Sequence, residues 1–283
     1  MLRRQLAAPV TAWLDERIRA TESGDEQSFF LAFGMIPRKT GKALLILSGD
    51  DLRSAADFVE GWNPSLWSVD QAARTLLVLH LPAASATKYV ATLDRLFAAG
   101  EVGELVALYQ SLALFPHPEA HRLRAAEGIR SSIRPVFAAV SQHNPYPAAE
   151  LDEGPFNQMV LKCLFVGLPL DPVVGLDRRA NPSLARMLLD YAHERWAAKR
   201  EVSPELWRPL AKFVDEAVLN DLRRVLRTGS DLERRAAALT LLAAPHPGAA
   251  RLLEEEAQLA AEVRAGEFDW SSVARLWASA QRG

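Results

Sequence analysis

The chain has 283 residues, of which 49% are hydrophobic and 24% are charged, and its formal net charge is −2. This composition is typical of a folded globular protein, and the small net charge disfavours nucleic acid or an anionic membrane as the main partner. Asp15 and Glu16 interrupt the first apolar residues before they could form a signal peptide, and no segment reaches the roughly 18 uncharged apolar residues of a membrane span. With a single cysteine, Cys163, these features predict a cytoplasmic protein without a disulfide bond or a membrane span.

The N-terminal third is predicted to form short amphipathic helices. Apolar residues recur at helical spacing within residues 6–18, and Ser28 can cap a second helix that we expect to end at Pro37. Ser68 followed by Gln71 predicts a capping box at the start of a further helix.

An internal repeat relates residues 91–127 to residues 220–256, which follow 129 positions later without a gap. Both copies contain a glycine, Gly100 or Gly229, where we expect a left-handed residue to end a helix, and both contain a Pro-His-Pro turn. Each copy therefore predicts helix, turn, helix, turn and helix, which resembles the unit of HEAT-type solenoids. No segment shows the alternation of a strand. We predict an all-α fold of stacked helical hairpins resembling a HEAT-like α-solenoid.

This pattern predicts one helical-repeat domain over residues 1–283. Repeat-like units at about 86–132 and 215–262 flank a central segment, 143–200. In that segment Pro155 is expected to open a helix that Gly167 ends, and the apolar loop that follows is expected to pack against the body.

The next two helices of this region have Asn181-Pro182 and Ser203-Pro204 at their predicted starts, with the first residue of each pair as the cap.

The central segment carries the candidate site, because polar side chains there lie among residues expected to be buried. A narrow polar stripe runs along the helix that begins at Pro182, and its members are three or four residues apart. In one interpretation they form a pocket in which His193 exchanges protons and basic side chains bind an anion. In the other, which the pattern favours, they form an internal ion-pair network. No catalytic residue can be assigned, and the candidates are Asn157, Gln158, Lys162, Asp177, Arg178, Arg179, Arg186, Asp190, His193 and Glu194.

Other chemistries are disfavoured by the motifs. His117 and His121 are one helical turn apart, but the second repeat copy has Ala250 in place of the second histidine, so we predict no metal. Cys163 is flanked by apolar residues and is expected to be a core residue. Gly41-Lys42 precedes an alanine where a nucleotide-binding loop requires Ser or Thr, and no other cofactor motif is present, so no cofactor is predicted.

Three sequence motifs in the C-terminal half strongly resemble those of the EboA family: NQMVLK, GLDRRANP and YAHERWAA. The resemblance implies a protein encoded beside a UbiA-like prenyltransferase, a TatD-like metal hydrolase and a sugar-phosphate-cyclase-like protein. It also implies a role in the traffic of a secondary metabolite. The family offers no established catalytic residues to carry over.

The resemblance and the residues together leave three hypotheses. The leading one is an accessory protein of a secondary-metabolite gene cluster that binds a pathway metabolite or partner enzymes in the cytoplasm. The first alternative is an enzyme acting on a polar or phosphorylated intermediate in a pocket around His193. The second is a scaffold that docks a membrane prenyltransferase. A binder or an enzyme predicts a pocket, whereas a scaffold predicts a filled interior and an exposed apolar patch.

Overall fold

The computed structural model describes residues 1–281, and it is all-α as predicted. The one extended pairing among these residues is an isolated antiparallel bridge between Leu44 and Ser68. Within the same residues, no helix has the length and apolar character needed to cross a membrane.

The helices are short. The α-helices of the N-terminal part are α1 Ala8–Glu22, α2 Glu26–Thr40, α3 Gly49–Phe58, α4 Val69–Leu79, α5 Ala86–Ala99, α6 Val102–Gln110, α7 Arg122–Arg130, α8 Arg134–Ser141 and α9 Tyr146–Glu150. Those of the C-terminal part are α10 Glu153–Phe165, α11 Leu176–Arg179, α12 Pro182–Ala197, α13 Glu216–Thr228, α14 Asp231–Ala243, α15 Pro247–Glu254, α16 Ala257–Arg264 and α17 Trp270–Ala280. The 3-10 helices span Leu2–Gln5, Leu112–Leu114, Pro118–His121 and Pro204–Phe213.

The internal contacts divide the chain into two compact units, residues 1–152 and residues 153–283. In the first unit α1, α2, α4, α6 and α8 pack in succession, each mainly against the next. Their facing side chains are large and fully buried, including Phe29, Phe33, Leu77 and Phe137. The HEAT-like arrangement and the single domain of 283 residues stay predictions.

The second unit is built around α14. This helix contacts α13, α15, α16, α17 and the 3-10 helix Pro204–Phe213. Ala236, Ala237 and Ala238 are all fully buried, so neighbouring elements cover α14 on several sides. Because alanine is small, the neighbours can approach the α14 backbone closely.

The repeat is helical in both copies, but the reason for its glycines differs from the prediction. Gly100 has φ −69° and Gly229 has φ −77°, so the expected left-handed conformation is wrong. A side chain would instead collide with the preceding helix. A Cβ at Gly100 would lie 2.8 Å from the carbonyl oxygen of Leu96, and one at Gly229 would lie 2.6 Å from that of Val225.

The Pro-His-Pro turns adopt two conformations. His117 is left-handed, with φ 59°, and leads into a 3-10 helix before α7 begins. His246 is extended, with φ −73°, and its Nδ1 accepts a hydrogen bond from the Gly248 amide as the cap of α15. The same three-residue motif therefore forms two different turns.

Pro37 does not end α2 as predicted, because the helix continues to Thr40. Proline has no N–H to donate to the carbonyl four residues earlier, which belongs to Phe33. The guanidinium of Arg74 replaces that donor, since its Nε lies 3.3 Å from the Phe33 oxygen. Arg74 is buried and is neutralised by Asp70, at 2.8 Å, and Glu104, at 3.3 Å.

The other helix starts and ends predicted from the sequence were right in part. The Ser68 capping box and the Asn181 cap are confirmed, and Gly167 ends α10 with φ 70°. Ser203 makes no side-chain cap, because the segment it precedes is a 3-10 helix and not an α-helix. The cap at α2 is Asp25 and not Ser28; the Asp25 carboxylate accepts from the Ser28 amide at 2.9 Å.

Candidate functional site

The buried member of the predicted site is Asn157 in α10. Its amide and that of Asn181 exchange two hydrogen bonds of 3.1 and 2.9 Å. Asn181 also caps α12, because its Oδ1 accepts from the Leu184 amide at 2.8 Å. Asn157 therefore holds the start of α12 against α10. Cys163 is buried further along α10, as expected of a core residue.

The polar stripe of α12 faces solvent. Its members, Arg186, Asp190, His193 and Glu194, are all exposed. The carboxylate that partners His193 belongs to Asp221 in α13, with 2.7 Å between Nε2 and Oδ2. The imidazole also lies 5.7 Å from the ring of Trp196. With its side chain 54% exposed, His193 sits in a surface pair and not in an enclosed cavity.

The remaining candidates belong to other contacts. Asp177 forms an ion pair with Arg208, at 2.8 Å, and the guanidinium of Arg179 lies 4.7 Å from the Phe156 ring centroid. Arg178 and Gln158 are exposed, and partial burial lowers the pKa of Lys162. The structure thus distributes the ten residues over several local contacts, and a pocket that unites them stays a prediction.

A polar centre that the sequence did not reveal lies beside these residues, at Glu205. Its Oε1 accepts from the amides of Leu170 and Asp171, at 2.9 and 2.6 Å. Arg208, one turn later, binds Asp171 and Asp177 through separate nitrogens. These contacts fix the loop 168–175, whose Leu170 is fully buried, so the expectation that the loop packs against the body is confirmed.

A cleft of about 400 Å³ in the first unit has the mixed character of a small-molecule site. It lies where the α1–α2 turn faces the α4–α5 connection and α5. Its floor consists of buried side chains, chiefly Phe29, Leu81 and Tyr89, and its rim carries Asp25, Glu26 and Lys88. The remaining lining residues are Thr21, Gly24, Pro82, Ala84, Ser85 and Thr92.

The first Pro-His-Pro turn holds the wall of this cleft in place. The Nε2 of His117 lies 2.8 Å from the Ala83 oxygen in the α4–α5 connection. The rings of His117 and His121 lie 6.1 and 6.3 Å from the ring of Tyr89. His121 is itself bound through Nε2 to the Pro116 oxygen at 2.9 Å. Both histidines therefore have a structural role as supports of the cleft.

The chemistry of the cleft suits an amphipathic organic molecule. The aromatic and aliphatic floor can take an apolar portion, whereas the rim offers both carboxylates and an ammonium group to a polar end. Burial raises the pKa of the Tyr89 phenol, so that hydroxyl stays a neutral hydrogen-bonding group. Sequence patterns did not predict the cleft, because its lining comes from three separate stretches of chain.

The second repeat copy does not reproduce this arrangement. The residue equivalent to Tyr89 is Val218, and His246 caps its own helix instead of supporting a neighbouring connection. The second copy instead borders a separate hollow of about 400 Å³, whose lining includes Leu219, His246 and Arg251.

Fold and cleft together define an all-α protein with a small-molecule-sized hollow in its N-terminal unit. A family model described as metabolite traffic protein EboA matches residues 1–211. Since this is most of the chain, the protein belongs to the EboA family. No curated protein matches the chain, and neither does any solved structure.

The family match extends further towards the N-terminus than the motifs in the C-terminal half that indicated the family. It includes the N-terminal half, with the whole cleft, as well as the central segment. Residues after 211, among them the second repeat copy and α14, lie outside it.

Proposed function

We propose that this protein is a non-catalytic accessory protein of a secondary-metabolite gene cluster, and that it binds a pathway metabolite in the cytoplasm. The family description as a metabolite traffic protein supports this role. The observation that carries the proposal is the cleft of about 400 Å³, whose buried aromatic floor and charged rim suit a small amphipathic molecule. Enzymes of the same cluster are the proposed recipients of the metabolite.

The ligand in this proposal lies over the buried rings of Phe29 and Tyr89, against the exposed side chains of Pro82 and Ala84, with its polar end towards Lys88. Both rings are almost fully buried and are held by packing, so the floor exists before the ligand arrives. A preformed floor lowers the entropic cost of binding. Lys88 is exposed on the first turn of α5, where its ammonium group can meet an anionic or carbonyl group of the ligand.

The test is native mass spectrometry of the full chain purified from its own host. We expect the wild-type protein to carry an additional small-molecule mass. Ala84→Trp, which fills the cleft from its rim, should lose that mass. Thr87→Trp is the matched control, because this exposed residue lies in the same stretch but does not line the cleft, and it should retain the mass.

The same experiment separates the two alternatives. An enzyme with its pocket around His193 predicts that the mass is lost in His193→Ala and kept in Ala84→Trp. A scaffold predicts a protein without a small molecule that instead leaves the purification with another protein of the cluster. His193 is exposed, so its replacement is expected to leave the fold intact.

A further inference from the structure

The segment 42–47 presents an apolar face to solvent. It contains no helix and forms the antiparallel bridge to Ser68 through Leu44, and side chains of a bridged segment point alternately to opposite sides. Leu45 and Leu47 pack inward against the cluster that contains Trp67. Leu44 and Ile46 point the other way and are 63% and 82% exposed.

This face is held in place by hydrogen bonds. The Leu45 amide donates to the Trp67 oxygen at 2.8 Å. The Gln5 side chain binds both backbone groups of Ile46, its Oε1 at 2.7 Å from the amide and its Nε2 at 3.1 Å from the carbonyl oxygen. Leu66, which is 65% exposed, precedes Trp67 and so lies at the same end of the antiparallel bridge as Ile46. The exposed leucine and isoleucine side chains are therefore presented by an ordered backbone.

Positive charge lies directly before this face. Arg38, Lys39 and Lys42 are exposed, and no acidic residue occurs between Gln27 and Gly49. A cationic group next to exposed aliphatic side chains is the combination that binds anionic lipid surfaces.

The two acids nearest to the end of this face are paired with arginines outside the cationic stretch 38–42. Asp50 pairs with Arg53, and Asp51 pairs with Arg4. The hydrogen bonds from the Ser48 amide and from Arg4 lower the pKa of Asp51 to about 2, so it remains an ionised partner of that arginine. The residues directly before the apolar face, 38–42, therefore carry three positive charges, whereas Asp50 and Asp51 directly after it are each paired with an arginine.

We propose that Leu44, Ile46 and Leu66, together with Arg38, Lys39 and Lys42, form a surface that docks this protein peripherally on an anionic lipid bilayer. The aliphatic side chains enter the boundary between headgroups and acyl chains, and the cations contact the headgroup phosphates. A second copy of this chain fits the surface less well, because two-fold pairing would bring the same cations of both copies together.

The first experiment measures sedimentation of the full chain with phosphatidylcholine vesicles that contain phosphatidylglycerol. We expect binding that weakens as salt is added and that is much weaker with vesicles of phosphatidylcholine alone. The variant Leu44→Ser with Ile46→Ser should lower the partition coefficient by about tenfold or more, since it removes two aliphatic side chains from the membrane boundary. Lys39→Gln with Lys42→Gln should lower it by roughly fivefold or more per cation.

Matched controls are available elsewhere in the same unit. Leu123 on α7 is 81% exposed, so Leu123→Ser removes an equally exposed aliphatic side chain without touching the proposed surface. Arg130→Gln removes an exposed cation from the same helix. Both controls should bind vesicles as the wild type does, and circular dichroism should show unchanged helix content in all variants.

Three results would overturn the proposal. One is that the wild type does not sediment with the anionic vesicles. Another is that the control variants lose binding as much as the surface variants do. The last is that sedimentation velocity shows a dimer that Leu44→Ser with Ile46→Ser dissociates, which would assign the face to a second copy of the chain.

Discussion

Glu205 is the residue whose environment departs most from that of a typical glutamate. It is completely buried, and although Oε1 accepts two backbone hydrogen bonds, Oε2 has no partner among the described residues. Burial penalises the charged form and raises the pKa of the carboxyl group from 4.5 to about 7, and the two amide hydrogen bonds only partly oppose this.

Glu205 makes the stability of the protein depend on pH. Because the folded chain holds this proton more tightly than the unfolded chain does, the carboxyl group destabilises the fold as pH rises from about 4.5 through about 7. Glu205→Gln keeps an oxygen for the two amides and removes the ionisation. We expect the variant to gain stability relative to wild type between pH 5 and pH 8, by an amount on the order of 3 kcal/mol.

The measurement is urea denaturation at several pH values, with Glu194→Gln as the control because Glu194 is exposed. Wild type and the control should lose stability in parallel over this range. If Glu205→Gln lost stability equally, burial of Glu205 would not be the source of the pH dependence.

At the scale of elements, α2 and α4 illustrate how a local defect is repaired by a neighbour. Pro37 leaves the Phe33 carbonyl without its helical donor, and Arg74 of α4 supplies one while its guanidinium lies 5.3 Å from the Phe33 ring centroid. The interior charge is acceptable because Asp70 and Glu104 neutralise it. The proline therefore stays inside the helix.

The contact of α7 with α6 and α8 depends on one glycine. A Cβ at Gly128 would lie 2.6 Å from ring and methyl carbons of Tyr109 and Val140, both of which are buried. Gly128→Ala is therefore expected to reduce the free energy of unfolding by about 1–3 kcal/mol, through overpacking.

Gly34 is the opposite case and serves as the control. It lies inside α2, and a Cβ there would meet nothing within 4 Å. Gly34→Ala should increase stability by about 0.5–1 kcal/mol, since alanine loses less conformational entropy in a helix. Thermal and urea unfolding monitored by circular dichroism measure both changes, and a neutral Gly128→Ala would contradict the close packing at that position.

At the scale of the whole molecule, the question is how many cooperative units the chain contains. Each of the two compact units has buried residues of its own, around Phe33 and Phe137 in residues 1–152 and around α14 in residues 153–283. This division favours two unfolding transitions in scanning calorimetry. The single domain predicted from the sequence would give one unfolding transition.

The variant Gly128→Ala tests whether the two units unfold independently. With two independent units, the variant should lower the midpoint of one transition and leave the other unchanged. A single transition that shifts as a whole, with equal calorimetric and van't Hoff enthalpies, would support the single domain.

The sequence by itself determined the helical class, the position of some helix ends and the family. The helix ends depend on local chemistry, such as the capping box that Ser68 forms with Gln71 and the cap that Asn181 provides. The family depends on the sequence motifs shared with EboA proteins. The sequence could not predict the outcome at Pro37 correctly, because Arg74, which donates to the Phe33 carbonyl in place of the proline, lies 41 residues after Phe33 in the chain.

Only the tertiary structure decided which residues meet. In the apolar run 43–47 every side chain is aliphatic, so periodicity cannot show that Leu45 faces inward and Ile46 outward. The cleft likewise joins Phe29 with Tyr89, which no local pattern connects. The polar residues of the central segment were recognised from the sequence, but their partners, such as Asp221 for His193, come from other helices. Contacts between distant segments depend on how the helices pack, and spacing along one segment does not encode that packing.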